Sequence, residues 1–177
     1  MNKPLRVVPQ PPASPPVTEP GMDFEGLVEA EHGPLYGALC LITRDRAEAE
    51  DVLQEAFLKV WERWDHVGEM ADPTGYLYRT AMNLYRKRLR RASLVLRRAV
   101  RLTPPRDELG EVEARDAVVR ALAALTPRQR MSVVLVDLLD YSSEEAAQLM
   151  RVRPSTVRVL VSQGRAALRR KAVSDIE

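Results

Sequence analysis

The sequence is poor in the residues that build disulfide scaffolds and metal clusters. Its 177 residues include one cysteine, Cys40, and two histidines, His32 and His66. A single thiol excludes an internal disulfide and suits a reducing compartment, so we expect a cytoplasmic protein. Neither histidine has a companion at ligand spacing, and we therefore predict no metal site and no cofactor.

Signatures of catalysis, secretion and membrane insertion are also missing. The sequence contains no glycine-rich phosphate loop and no G-x-S-x-G elbow. Its first residues lack the apolar core of a secretory signal, and no apolar run approaches the roughly 18 residues of a membrane span. These absences predict a protein that is not an enzyme and does not insert into a membrane.

The coarse organisation follows from proline and from the absence of strand patterns. Seven of the 13 prolines precede Gly21, which predicts a disordered extension over residues 1–22. No β-branched run alternates with polar residues over the length of a strand, so the fold class is all-α. Helical periodicity fades from 93 to 111, and we expect a flexible linker there between two small helical domains, 23–92 and 112–177.

Within the first domain, one apolar stripe at i, i+3, i+4 and i+7 spacing predicts a half-buried helix. Its members are Leu53, Ala56, Phe57, Val60, Trp61 and Trp64. The preceding helix should break at Gly33-Pro34 and bury Cys40 as a structural thiol. The segment "DHVGEMAD" is interpreted as a loop, and Asp72-Pro73 as the start of the next helix.

The second domain ends in a helix-turn-helix pattern. Helices are expected from Val112 to Leu125 and from Pro127 to Leu139. Ser142 and Glu145 make a capping box for a short helix, and Pro154 begins the final one. On that last helix Val157, Leu160, Val161, Ala167 and Leu168 should face inward, with Gly164 allowing close packing.

Charge is segregated despite a net charge of only +2. From Arg79 to Arg106 there are ten Lys or Arg and no acid, and from Arg151 to Lys171 there are seven and no acid. One basic run is usually a solvated face, whereas two such runs favour a polyanion held at two places. The acids cluster elsewhere, including Glu50, Asp51 and Glu55 opposite the apolar stripe. That acidic face is either solvated or docks a basic partner helix.

Three stretches together resemble the group IV, extracytoplasmic-function (ECF) sigma factors of bacterial RNA polymerase. They are "AEDVLQEAFLKVWERW", "DPTGYLYRTAMNLYRKRLRR" and the segment from "LTPRQRMSVV" to "QGRAALRR". The resemblance runs from Phe24 to about Lys171. It implies that 23–92 is sigma domain two and that 112–177 is sigma domain four.

The resemblance implies two partners for domain two. One is the clamp coiled coil of the polymerase's largest subunit, docked on Asp51, Gln54, Glu55 and Leu58. The other is the melted minus-ten element of promoter DNA. Its implied contacts are His66, Tyr78, Arg79, Asn83, Tyr85, Arg86, Lys87 and Arg90. Tyr78 and Tyr85 either stack on bases or pack on a neighbouring helix.

Domain four would recognise the minus-thirty-five element, and the flap of the second-largest polymerase subunit is its implied protein partner. The implied DNA contacts are Arg151, Ser155, Thr156, Arg158, Val159, Ser162, Gln163 and Arg165. Only Val159 among the apolar residues should touch bases, so phosphate contacts and DNA shape should carry much of the recognition. An anti-sigma factor is a further candidate partner.

Two positions depart from the family pattern, and two other functions remain open. Many relatives have an acid where Lys87 stands and a glycine where Arg151 stands. A non-glycine residue at position 151 costs about 1 kcal/mol of stability if its φ angle is positive. A stand-alone helix-turn-helix regulator would leave the first domain unexplained. A polymerase-binding adaptor that does not read promoters is supported only by the small number of base-contacting residues on the last helix.

Overall fold

The computed structural model describes residues 23–98 and 113–174, with side chains for 23–93 and 118–172. Those residues form helices and connecting turns without a strand, which confirms the all-α prediction. The helices are α1 (Phe24–Thr43), α2 (Arg46–Trp61), α3 (Trp64–Val67), α4 (Pro73–Arg98), α5 (Glu113–Ala123), α6 (Pro127–Val133), α7 (Ser143–Met150) and α8 (Pro154–Ser174). The predicted extension 1–22 lies outside the described residues, as do residues 99–111 of the predicted linker 93–111.

Helices α1 to α4 are called the first group and α5 to α8 the second group. Aspartates cap the three long helices of the first group. The carboxylate of Asp23 accepts from the Gly26 amide at 2.9 Å, and that of Asp45 accepts from Glu48 at the same distance. Asp72 caps α4 by accepting from the Gly75 amide at 2.7 Å, so the predicted start at Asp72-Pro73 is confirmed. A β-carbon on Gly75 would collide with that carboxylate, so a larger residue there would have to displace the capping side chain of Asp72.

The predicted break at Gly33-Pro34 is wrong, because α1 runs through Pro34 without interruption. Proline removes one donor and crowds the residue before it. Here Gly33 has no β-carbon to crowd, and residues 32–34 are exposed, so water can satisfy the carbonyl that loses its partner. The helix therefore tolerates the proline on its solvent side.

Two boundaries differ from the sequence prediction. Three residues of the predicted loop, 65–67, belong to the short helix α3. The backbone of α4 continues through the expected linker start at Ser93 and ends at Arg98. No glycine or proline lies between Gly75 and Thr103, so nothing in the local sequence ends α4 earlier.

The second group has two capping boxes. Thr126 and Gln129 exchange hydrogen bonds at the start of α6, and Ser142 and Glu145 do the same at α7 as predicted. The two Ser142 hydrogen bonds lower the pKa of the Glu145 carboxyl, since they favour its charged form. The helix that begins at Pro127 changes to π-helical geometry over Val134–Leu138, which the sequence did not indicate.

The two groups contact one another through α1 and α4 on one side and α6, α7 and the π-helical segment on the other. The rings of Tyr78 and Tyr141 meet across this contact, with centroids 5.9 Å apart. Beneath Tyr78 the buried carboxyl of Glu31 accepts from the Thr74 hydroxyl at 3.4 Å and hydrogen-bonds Tyr78. Cys40 packs against the core while only half-buried, which corrects its predicted full burial.

Candidate functional site

The outer face of α2 combines carboxylates with exposed apolar side chains. Asp51, Gln54 and Leu58 are exposed and Glu55 is half-buried, so the four residues predicted for a protein partner share one accessible face. Leu58 exposes 52% of its surface. Leu53, Ala56, Phe57 and Val60 are buried on the opposite side, as the apolar stripe predicted.

Trp61 does not belong to that buried stripe. It is 60% exposed, and Trp64 lies in α3, half-buried against Phe24 with ring centroids 5.4 Å apart. Trp61 borders an open apolar groove of about 440 Å³ between α1 and α2. The groove is lined by Phe24, Val28, His32, Phe57, Leu58 and Trp61, among others. The spacing of Gln54, Leu58 and Trp61 at i, i+4 and i+7 is the signal that sequence reasoning missed.

Arg88 of α4 forms ion pairs with two carboxylates of this α2 face. Its guanidinium lies 3.1 Å from Glu55 Oε2 and 3.4 Å from Asp51 Oδ2. Lys59 approaches the other oxygen of Glu55 at 3.8 Å. The carboxylates predicted for polymerase docking are therefore already oriented by Arg88. In the sequence this residue is only one member of the basic run from Arg79 to Arg106.

On α4, Tyr78 and Tyr85, expected either to stack on bases or to pack on a neighbouring helix, are both buried at 4% exposure. Tyr85 donates its hydroxyl to the Ile42 carbonyl at 3.4 Å, and burial raises its pKa to about 12. Tyr78 lies between Glu31 and Tyr141. Of the two alternatives, packing on neighbouring helices is the one that the structure shows, because neither ring has a free face on which a base could stack.

The remaining α4 candidates are accessible. Arg79, Asn83 and Arg86 are half-buried, whereas Lys87 and Arg90 are exposed. Arg86 donates to the Asn83 side-chain oxygen at 3.2 Å, which holds the two side chains together. His66 is also exposed but lies on α3.

The turn between α7 and α8 places Arg151 in the left-handed region, with φ 52° and ψ 52°. This is the case in which a non-glycine residue costs on the order of 1 kcal/mol. Its amide bonds back to α7, closing the helix with its side chain exposed. The turn that separates the two helices of the helix-turn-helix therefore presents a guanidinium to solvent.

Helix α8 divides into the two faces that its sequence predicted. Val157 and Val161 are buried, and Leu160, Ala167 and Leu168 pack partly against the core. A β-carbon on Gly164 would lie 2.7 Å from Val133 Cγ2, so glycine permits the close approach to α6. The outward candidates are accessible, and Val159 is 53% exposed.

The outward arginines of α8 are tied to acids of neighbouring elements. Arg158 lies 2.9 Å from Glu144 of α7, and Arg165 binds both carboxylate oxygens of Asp137 at 2.5 and 3.1 Å. Those hydrogen bonds raise the pKa of Arg165. Gln163 accepts from the Gln129 amide at 3.3 Å. Any anion that binds these two arginines would have to compete with Glu144 and Asp137, and the sequence alone did not indicate these pairs.

The described side chains offer surfaces for macromolecules and no centre for metal chemistry. Residues 23–93 and 118–172 contain no group of three metal-ligating side chains. Across the helices of the described ranges, none is both long and apolar enough to cross a membrane. What the arrangement supplies is an acidic, partly apolar face on α2 and two basic faces on α4 and α8.

Each of the two parts of the chain that carry these faces matches a family model. A family model described as Sigma-70 region 2 matches residues 27–95, and one described as Sigma-70, region 4 matches residues 115–168. The ECF RNA polymerase sigma factor SigM of Mycobacterium tuberculosis is 32% identical over 148 residues, covering 83% of this chain and 76% of SigM. The chain belongs to the ECF sigma factors of bacterial RNA polymerase.

Other relatives agree in length and in fold. The RNA polymerase sigma-E factor of Streptomyces coelicolor is 26% identical over 86% of this chain and 88% of its own. The sigma factor RpoE of Bartonella quintana, solved with the anti-sigma factor NepR, superposes with a TM-score of 0.67 at 21% identity, covering 84% and 95% of the two chains. CnrH, solved with the cytosolic domain of CnrY, gives 0.56 at 24% identity over 87% and 88%.

Proposed function

We propose that this sigma factor acts in the cytoplasm without catalytic activity of its own, holding core polymerase through α2 and promoter DNA through α4 and α8. The observation that carries the proposal is the exposed Leu58 beside three polar or acidic side chains on α2. An exposed leucine ringed by carboxylates suits a partner helix that is both apolar and basic. The partner proposed is the clamp coiled coil of the polymerase's largest subunit.

The α2 face is pre-organised for such a partner. Arg88 forms ion pairs with Asp51 and Glu55, so part of the cost of ordering these two side chains is met before docking. Trp61 extends the apolar part of the face by one turn and offers a large amphipathic anchor. We add Trp61 to the proposed docking residues Asp51, Gln54, Glu55 and Leu58.

For the minus-ten element we propose His66, Arg79, Asn83, Arg86, Lys87 and Arg90 as contacts. These side chains are polar or basic and reach solvent from α3 and α4. Tyr78 and Tyr85 are proposed to hold α4 in place instead of stacking on bases, because both are buried. A single strand would then be bound mainly through its phosphates and base edges.

For the minus-thirty-five element we propose the outward face of α8 with the turn before it, namely Arg151, Ser155, Thr156, Arg158, Val159, Ser162, Gln163 and Arg165. Gln163 can pair with an adenine edge, and Val159 can contact a thymine methyl. The flap of the second-largest subunit is the proposed protein partner of this half. Since NepR and CnrY are bound to proteins of this fold, an anti-sigma factor is a partner class to test for.

The test uses one matched pair of variants. Leu58→Lys should weaken binding to core polymerase at least tenfold, because an exposed apolar anchor becomes a cation facing a basic helix. Val159→Lys makes the same change at an equally exposed position, 53% against 52%, and should bind core polymerase as wild type does when DNA is absent. Gel filtration or biolayer interferometry with core enzyme measures both.

Two outcomes would contradict the docking assignment. One is undiminished binding by Leu58→Lys with an unchanged circular-dichroism melt. The other is equal loss in the two variants, which would indicate a general charge effect. Run-off transcription with core polymerase on genomic fragments then identifies the promoter sequence and shows whether the chain initiates transcription.

A further inference from the structure

A cleft lies where α4 of the first group meets the helix-turn-helix of the second. Four arginines line it, and we call it the arginine cleft: Arg86 and Arg90 from α4, Arg128 from the first turn of α6, and Arg151 from the turn after α7. Its other lining residues, Leu89, Pro127, Met131, Met150 and Val152, are all apolar. The cleft therefore concentrates positive charge against a wall that cannot neutralise it.

The four arginines are uncompensated within the part of the chain whose side chains are described. None of them forms an ion pair there, and the described hydrogen bond of the Arg86 side chain goes to the neutral Asn83 amide. Arg88, Arg158 and Arg165, in contrast, all bind carboxylates. Burial lowers the pKa of Arg86, and the nearby charges of Arg90, Arg151 and Arg128 lower it further. Like charges are thus held together across the contact between the two groups.

Maintaining this cluster opposes folding in two ways. Like charges repel, and Arg151 occupies the left-handed region at φ 52°, where a residue with a β-carbon costs on the order of 1 kcal/mol. An anion in the cleft would turn the repulsion into attraction. Guanidinium groups bind phosphate oxygens in pairs through two parallel hydrogen bonds, and a phosphate chain offers several such oxygens at once.

We propose that the arginine cleft binds a compact polyanion, a chain of two to four phosphate groups, that bridges the two helical groups. Its volume is about 110 Å³, and because one water needs only about 10–15 Å³, several oxygen-sized groups fit. Three chain segments contribute arginines, so a ligand with phosphates in series reaches more of them than a single phosphate does. The ligand stabilises the contact between the groups because it binds both.

Competition between the phosphate chain and promoter DNA follows if the proposed function is correct. Arg86, Arg90 and Arg151 are also proposed DNA contacts, so a bound phosphate chain would compete with promoter DNA. Arg128 is not among the proposed DNA contacts, and it is exposed. Substituting Arg128 therefore tests the cleft without removing a proposed promoter contact.

The experiment titrates the full chain with sodium tripolyphosphate by isothermal calorimetry and follows its melting temperature. Wild type should bind and melt at a higher temperature when the ligand is present. Arg128→Gln should bind at least tenfold more weakly and lose most of that shift. Arg169→Gln removes the same charge from an exposed site on α8 outside the cleft, and its affinity should stay within twofold of wild type.

The two sources of a phosphate chain are separated by a parallel titration with GTP. Tighter binding of GTP indicates a nucleotide, tighter binding of tripolyphosphate indicates an inorganic chain, and either supports the cleft if Arg128→Gln abolishes it. Equal weakening in Arg128→Gln and Arg169→Gln would overturn the proposal, since diffuse surface charge then suffices. Binding of a dT oligonucleotide but of neither small ligand would overturn it in favour of DNA.

The outcome is independent of the polymerase assignment. Leu58→Lys lies on α2, outside the cleft, and should keep full tripolyphosphate binding whether or not it binds polymerase. Arg128→Gln should keep full polymerase binding. Arg128→Gln therefore tests the phosphate-binding proposal, and Leu58→Lys tests the polymerase-docking proposal, each without affecting the other.

Discussion

The basic helices α4 and α8 carry similar charge in the sequence and present it differently in the structure. On α8 the outward residues Arg158 and Arg165 are bound by acids from α7 and the π-helical segment. Among the side chains of α4 that the structure describes, up to residue 93, only Arg88 is bound in this way, while Arg86 and Arg90 meet two more arginines in the arginine cleft. Whether a basic run is available to a polyanion thus depends on neighbours that its own sequence does not contain.

The two situations have different energetic consequences. Both pairs on α8 have a strongly exposed arginine, with 58% and 53% of the side chain accessible, so each adds about 0–1 kcal/mol and can be exchanged for a DNA phosphate. The cluster on α4 has no such partner to give up. We therefore expect α8 to gain DNA affinity when its acids are removed, and the arginine cleft to bind anions as it stands.

The largest expected effect is on the free energy of unfolding, through the close contact between α8 and α6. Gly164→Ala places a β-carbon 2.7 Å from Val133 Cγ2, and overpacking of this kind costs about 1–3 kcal/mol. Gly37→Ala is the control, since nothing lies within 4 Å of its β-carbon. That second change should stabilise α1 by up to about 1 kcal/mol. Urea unfolding measures both, and equal effects would show that α8 tolerates being displaced from α6.

The next effect is on DNA binding by α8. Asp137→Asn releases Arg165, which should raise the affinity for duplex DNA several-fold at low salt. It should also steepen the dependence of log K on log salt by about one unit, because one more phosphate is contacted. Asp140→Asn is the control, because Asp140 makes no ion pair with the described side chains and asparagine tolerates its φ of 53°.

Fluorescence anisotropy across a salt series measures both aspartate variants. If both variants gain the same DNA affinity and neither changes the slope of log K against log salt, then removing any nearby negative charge is enough to raise the affinity. In that case the Arg165–Asp137 pair would not restrain DNA binding.

The smallest effect lies beneath α4, at the buried Glu31. Desolvation raises the pKa of its carboxyl above the ordinary 4.5, although hydrogen bonds from Tyr78 and Thr74 oppose part of the rise. The folded state therefore holds the proton more tightly than the unfolded state does. The stability that Glu31 contributes is complete below pH 4.5 and declines as the pH rises through the raised pKa.

Glu31→Gln keeps the acceptor for Thr74 and Tyr78 but removes the charge. Its melting temperature relative to wild type should therefore be more favourable at pH 7 than at pH 4. Glu29→Gln, an exposed acid on the same helix, should show no such trend. The same difference at both pH values for Glu31→Gln would mean that Glu31 does not titrate in this window.

Local patterns were predictable where a single helix decides the outcome. The caps at Asp72 and Ser142, the exposed Leu58 and the inward Val157 and Val161 all follow from spacing within one helix. The failures occurred where a second segment intervened. Trp61 fits the periodicity of a buried stripe, yet no neighbouring helix covers the end of α2 enough to bury it.

The sequence by itself determined the all-helical class, the caps, the two-part organisation and the family, because these depend on residues close along the chain. Only the tertiary structure decided which charges are paired and which rings are buried. Glu31 meets Thr74 across 43 residues and Arg88 meets Glu55 across 33, separations over which no sequence periodicity operates. The arginine cleft has the same origin, since its four guanidiniums come together only when α4 packs against the helix-turn-helix.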